Sequence, residues 1–330
     1  MQSIPFNTIS LHLSYLDLNK IVKKLFFLFI SLATAQFALG QYDTDFGGHL
    51  GISMCAGDIG GDGPAKPGPS DIQFGQSGIN IGGNVRRFVT PMVAVRGEIN
   101  YGIVKGMDKL SSEPSRYSRN LSFKTTLIEL SGRLEVHALQ INDVGHTYRS
   151  SADFSAFLFA GVGITYFNPK AEYNGSYVNL QPLKTEGFAY SQVTPVIPLG
   201  IGMQFRLNKR HVIGWEIGTR MTMTDYIDDV SNRYIHASKF TDPTALALQD
   251  RSIELEGSGD PLFIGSENYS YGTNVEETAP RGNPSNNDWY AFSSVTYSYG
   301  LRNKPKSFSR RRKYKWVSAK VKRRRSKAKF

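Results

Sequence analysis

The sequence predicts an all-β chain: an eight-stranded antiparallel transmembrane β-barrel of the outer-membrane type, with long extracellular loops and a basic C-terminal tail. Three observations lead there. The 330 residues are rich in Gly (32), Tyr (17) and Phe (20), a mix that favours strands and turns over a helical bundle. Apolar and polar residues alternate with period two in about eight segments. A short apolar run near the N-terminus reads as an export address.

That address covers residues 1–40. Lys20, Lys23 and Lys24 form a positive region, Leu25 to Ala35 an apolar one, and Ala38 and Gly40 are the small residues before a cleavage at Gln41. The apolar run is too short to span a bilayer comfortably. The barrel is expected over residues 41–301 and the basic tail over 302–330. Cys55 is the single cysteine, so neither a disulfide framework nor a cysteine-rich zinc site is expected.

The strands follow in order. GGHLGISMCA from Gly47 and GINIGGNVRRFV from Gly78 alternate weakly. The third strand sets Val93, Val95, Ile99, Tyr101 and Ile103 against Arg96, Glu98, Asn100 and Gly102. The fourth sets Ile128, Leu130, Leu134 and Val136 against Glu129, Ser131, Arg133 and Glu135. In FSAFLFAGVGITYF, Phe154 to Tyr166 supply one apolar face, and Phe157 and Phe159 are exceptions on the other. The sixth places Ile197, Leu199, Ile201, Met203, Phe205 and Leu207 opposite Gly200, Gly202, Gln204 and Arg206. After Asn208-Lys209-Arg210, the seventh places Ile213, Trp215, Ile217 and Met221 opposite Gly214, Glu216, Gly218 and Arg220. DWYAFSSVTYSYGL, Asp288 to Leu301, is the last.

The two faces identify the solvent. A soluble barrel would turn its apolar face inward and coat its outside with Lys, Asp, Asn and Gln. Here the polar face is mostly Gly, Ser and Thr with Arg and Glu, which suits a narrow interior. The apolar face carries almost no charge, and tilted membrane strands need about 9–11 residues. Tyr101, Tyr166, Trp289, Tyr297 and Tyr299 near strand ends suit aromatic girdles. Eight strands leave a lumen just wide enough for side chains. Arg86, Arg96, Glu98, Glu129, Arg133, Glu135, Arg206, Glu216 and Arg220 are therefore expected to cross-pair inside and plug it. Export places the N-terminus in the periplasm. The short connections at Thr90-Pro91 and Asn208 to Arg210 then fall inside, and the long ones outside.

Candidate chemistry is sparse. Asp225, Asp228 and Asp229 in TDYIDDVSNRY lie at the outer rim of the seventh strand. They lack the Gly and Glu of an EF-hand loop, so a role in organising the long last loop is expected, with backbone N–H groups or Arg233 and Arg251 as partners. No G-x-S-x-G or H-E-x-x-H occurs. No catalytic residue, cofactor or metal is predicted, and the chain is read as a non-enzyme.

The charge is divided. From Arg302 onward there are 15 Lys/Arg and no Asp/Glu, while the remaining 24 basic residues face 28 acidic ones. Within the tail, Arg310, Arg311, Arg312, Lys313, Lys315, Trp316, Arg323, Arg324 and Arg325 form a candidate partner-binding stretch. In a periplasm there is no nucleic acid for it to meet. Anionic lipid headgroups, peptidoglycan or an acidic protein remain.

The stretch GWEIGTRMTMTDYIDDVSNRY resembles the PorG-type outer-membrane barrel of the Bacteroidetes type IX secretion system. RNLSFKTTLIELSGRLE, LFAGVGITYFNPKAEYNGSYVNLQPLKTEG, LQDRS and RGNPSNNDWYAF agree in the same order. The resemblance implies an eight-stranded barrel that accompanies the secretion machinery. It also implies contact with a periplasmic ring of the PorK lipoprotein and PorN, and a link to gliding motility. It carries no catalytic residues. The basic tail is not part of these motifs.

Overall fold

Alternation of the kind seen in these segments forces successive side chains to opposite faces, and a sheet built from it can bury one face only by closing or stacking. In the computed structural model the sheet closes. Residues 44–61, 74–141, 144, 152–207, 210–265 and 279–301 are described. The expected leader, 1–40, and tail, 302–330, lie outside them.

Among the described residues nine strands form: β1 (Thr44–Ala56), β2 (Gly78–Phe88), β3 (Val93–Met107), β4 (Ser122–Ile141), β5 (Ala152–Tyr173), β6 (Ser176–Asn179), β7 (Val193–Leu207), β8 (His211–Thr222) and β9 (Trp289–Leu301). Each of eight pairs antiparallel with its neighbours in chain order, and β1 closes the ring on β9, Thr44 opposite Leu301 and Ala56 opposite Trp289. The fold class is the predicted one, an eight-stranded antiparallel barrel. The ninth strand, β6, pairs only with the end of β5, Lys170 to Tyr173. Its hairpin turns on Asn174 (φ 51°) and Gly175 (φ 77°), the pair that a two-residue turn with positive φ at both positions favours.

β4 and β5 outrun their predicted lengths by the most. β4 has 20 residues and β5 has 22, where alternation indicated Ile128–His137 and Phe154–Phe167. Beyond the predicted segments the outward positions become Thr126, Lys124, Asn168 and Lys170, polar residues that break the apolar pattern but not the ladder. Their pairing continues unbroken to Lys124 opposite Lys170.

Side chains divide as the period dictates. Ile81, Val95, Ile99, Leu130, Leu158, Val162, Ile164, Ile201, Val295 and their outward neighbours are exposed. Arg96, Glu98, Glu129, Arg133 and Glu135 are buried. At one end the connections are tight: Val89 and Thr90 N–H both donate to Val93 O, and Thr90 Oγ1 accepts from Val93 N–H. At the other end lie the long connections, which include α1 (Pro114–Arg119) and α2 (Pro243–Gln249).

Candidate functional site: a filled lumen beneath a loop cap

Small inward residues leave space that large inward residues from neighbouring strands fill. A Cβ added to Gly202 would collide with the Phe157 ring, and one at Gly200 or Gly218 with Phe159. Phe157 and Phe159, the two breaks in the alternation of β5, thus point into the lumen and are buried. They serve the charges beside them. The Arg133 guanidinium lies 4.1 Å from the Phe159 ring centre and that of Arg86 lies 5.4 Å from Phe157, favourable cation–π distances.

The charges form one network. Glu135 accepts from Arg86 at 2.6 Å and from Arg96 at 3.5 Å. Glu216 accepts from Arg133 at 2.6 Å and from Arg96 at 2.9 Å. Glu98 touches Arg96 (3.2 Å), Arg133 (3.4 Å) and Arg220 (3.5 Å). Glu129 accepts from Arg220 at 3.2 Å, from the Tyr290 hydroxyl at 2.7 Å and from Asn100 at 3.0 Å. The structure brings together every charge predicted for the interior except Arg206, which sits nearer the short-turn end and is half-buried. Arg206 donates twice to Asp45, at 2.7 and 3.1 Å. Asp45 was missed by the sequence reading, although it shares the parity of the inward His49 and Ser53. With it, five cations meet five anions. An isolated buried charge is strongly unfavourable, so balance is what lets this lumen be filled with ions.

Above the lumen the long loops close. Ile59, Leu121, Phe123, Phe167, Val196, Ile227, Val230, Tyr290 and Phe292 form one apolar cluster at the barrel mouth. A polar frame surrounds it. Asp228 accepts from Ile59 N–H at 2.9 Å and Val230 N–H at 3.0 Å. Asp288 accepts from Ile227 N–H at 2.8 Å, and Asp58 from Asn283 N–H at 2.6 Å. Asp108 accepts from Gly60 N–H and from Arg119, whose other nitrogens donate to the carbonyls of Asp58 and Arg281. Asp229, at φ 70°, accepts from the hydroxyls of Thr185 and Tyr190, both at 2.5 Å. Arg281 donates to Asp229 O at 2.6 Å and to Glu186 at 3.2 Å, and Glu186 accepts from Ser231 and Asn232 N–H.

The three carboxylates of TDYIDDVSNRY therefore separate. The Asp228 carboxylate accepts from two N–H groups, and that of Asp229 from two hydroxyls with Arg281 at 3.8 Å. Asp225 is buried and neither of its oxygens has a hydrogen-bond partner among the described residues. The expected partner Arg251 lies elsewhere: it pairs with Glu254 at 2.9 Å and donates to Ser122, because the last loop folds back over β4. Arg233 forms a backbone bridge with Pro280. Asp58, Asp228, Asp288 and Glu186 are aimed at backbone N–H groups, and Asp229 at two hydroxyls. Among the described residues no group of three or more His, Cys, Asp or Glu could hold a metal ion.

Burial raises these acids. Asp225 is pushed up to about 9 by burial and then by Asp228. Asp228 rises to about 7 by burial and then by Asp58. Asp229 rises to about 6 by burial, against the pull of Arg281. Asp288 is raised well above the carboxylate range by burial and by Asp228.

A family model described as a domain of unknown function, DUF6089, matches residues 23–241. No curated protein matches the sequence. Among solved structures, the chain is similar to Ail, the attachment invasion locus protein of Yersinia pestis, in complex with the heparin analogue sucrose octasulfate. The identity is 10%, 79% of this chain and 99% of that chain are covered, and the TM-score is 0.32. It is also similar to CarO2 of Acinetobacter baumannii at 12% identity, with 77% of this chain and 98% of that one covered and a TM-score of 0.20.

Proposed function

The chain belongs to the DUF6089 family, whose description names no activity, and from that premise we propose that it is a closed outer-membrane barrel, a structural subunit of the type IX protein secretion machinery. The carrying observation is the pairing of an exposed apolar wall with a lumen that ten charges and an apolar lid fill. Such a body sits in a bilayer and gives solute no route through it, so its work is done by the surfaces it presents.

The assignment to secretion rests on the resemblance of its motifs to PorG-type barrels. Those motifs are distant in sequence, yet they supply the cap. Arg119 comes from RNLSFK, Thr185 and Glu186 from LKTEG, Asp228 and Asp229 from TDYIDDVSNRY, and Arg281 and Asp288 from RGNPSNNDW. In this reading the short turns face the periplasm, and the tail from Arg302 lies there too and docks on a ring of PorK and PorN type through Arg310 to Lys315, Trp316 and Arg323 to Arg325.

Two measurements test it. Deleting residues 304–330 should leave barrel insertion intact and weaken co-purification with the ring; unchanged co-purification removes the tail from the proposal. Loss of the whole protein should block export of cargo carrying the C-terminal signal domain. Normal export would leave a stand-alone barrel for adhesion or membrane integrity.

A further inference from the structure

On the outside of the barrel, near the rim with the long connections, three lysines stand side by side. Lys105 of β3 lies directly opposite Lys124 of β4, and Lys124 directly opposite Lys170 of β5. All three have the outward parity of Tyr101, Ile128 and Tyr166, which form another directly opposed row nearer the barrel's middle. Lys105 is exposed and the other two are half-buried.

Opposed side chains of an antiparallel ladder have Cβ atoms about 4.5–5.5 Å apart, and like charges placed so repel. The Cβ atoms of the three lysines thus lie within roughly 10 Å of one another on these spacings, and no carboxylate of the described residues forms an ion pair with any of them. Lys124 Nζ is held 4.6 Å from the ring centre of Tyr177, a residue of β6. The lysines border a depression of about 250 Å³ that Gln76, Ser77, Tyr177 and Glu172 also line. Among the described residues Glu172 is the single carboxylate there, one row further from the barrel's middle.

The level of this row decides what it meets. Aromatic side chains mark the boundary between acyl chains and headgroups in a membrane barrel, and the lysines lie two outward rows beyond Tyr101 and Tyr166, past Ile103, Thr126 and Asn168. Lipid phosphates occupy that level, and an ammonium group offers each of them up to three donors. The half-buried stems of Lys124 and Lys170 keep the charges on the wall instead of letting them reach far into water.

We propose that Lys105, Lys124 and Lys170 form a binding site for the phosphate of a phosphorylated glycolipid in the surrounding leaflet. The proposal rests on the reading that the apolar wall faces lipid. The Tyr177 arm closes one side of the site, which gives β6, a strand outside the closed ring, a purpose.

The test uses the full chain in neutral detergent, with lipid retention measured by native mass spectrometry. Diphosphoryl lipid A should be retained at least tenfold better by the wild type than by the triple variant K105Q/K124Q/K170Q. It should also be retained better than phosphate-free lipid A, and inorganic phosphate at equal concentration should not displace it. Equal retention by the triple variant, equal retention of the phosphate-free lipid, or displacement by inorganic phosphate overturns the proposal. If the triple variant does not fold, K124Q alone is compared, with a two- to threefold loss expected and no loss overturning the site. Insertion into vesicles, followed by heat-modifiable gel migration, is recorded separately. A wild type that fails to insert overturns the membrane reading, whereas one that inserts but shows no preference for phosphate overturns this site alone.

Discussion

Arg133 shows how tightly single residues are bound into the lumen. It donates to Glu216, lies against Glu98 and Glu135, and stacks on Phe159. Removing one member of a buried ion pair leaves its partner charged and uncompensated, at about 3–5 kcal/mol. Arg133→Ala should therefore lower barrel stability by that order in urea unfolding followed by Trp fluorescence. A loss below about 1 kcal/mol, the level of exposed pairs, would show that water reaches the network. Residue-scale features were legible in part. Alternation placed Arg96, Glu98, Arg133 and Glu216 inward because parity alone decides the face of a strand residue. Asp45 obeyed the same parity and was overlooked because β1, with Gly at positions 47, 48 and 51, alternates faintly. The roles of Phe157 and Phe159 needed the opposing glycines of β7 and β8, which period two in one strand cannot reveal.

At the scale of elements, the capping loops carry a pH dependence. Asp225, Asp228 and Asp229 have folded-state values of about 9, 7 and 6, above the unfolded carboxylate value of about 3.9. The folded cap then binds more protons than the open one between roughly pH 4 and 9, so closure weakens as pH rises through that window. Each extra proton held by the closed form changes the closing equilibrium by about tenfold per pH unit. Arg281 opposes the trend at Asp229, pulling against the rise that burial causes. Amide exchange at Ile59, Ile227 and Val230 should accelerate between pH 6 and pH 9 beyond the intrinsic base-catalysed rate; protection that is flat after that correction would mean the carboxylates stay ionised throughout. The cap itself was invisible in the sequence. Its frame joins Asp58, Asp108, Arg119, Glu186, Asp228 and Arg281, which come from several different loops, and loops have no period to read. The β5–β6 hairpin was more accessible: Asn174-Gly175 is a strong local turn signal, yet it lay in a stretch where strand alternation had already faded.

For the whole molecule, the closed fold was legible because eight alternating segments with short and long connections in turn admit few arrangements. What fills and seals it depends on distances between strands that no single segment contains. The filled lumen predicts that the purified protein gives no steady conductance in planar bilayers, at neutral pH, above the noise of a protein-free membrane. Stable channels of defined size would contradict both the ion network and the lid. The wall, by contrast, is where interaction is expected, at the lysine row.

The seam between β1 and β9 also bears on how the chain reaches this state. Thr44 pairs with Leu301, so the last ladder joins the two ends of the barrel in sequence. Contacts of such separation form slowly, since the intervening chain must be ordered first. Until then β1 and β9 present open edges and the apolar wall has no closed shape, a combination that invites aggregation. Asp288 and Tyr290, which hold the cap and Glu129, arrive only with β9. Assembly of the lid and of the lumen is thereby tied to completion of the ring, and a chain cut short of its final strand would lose all three together.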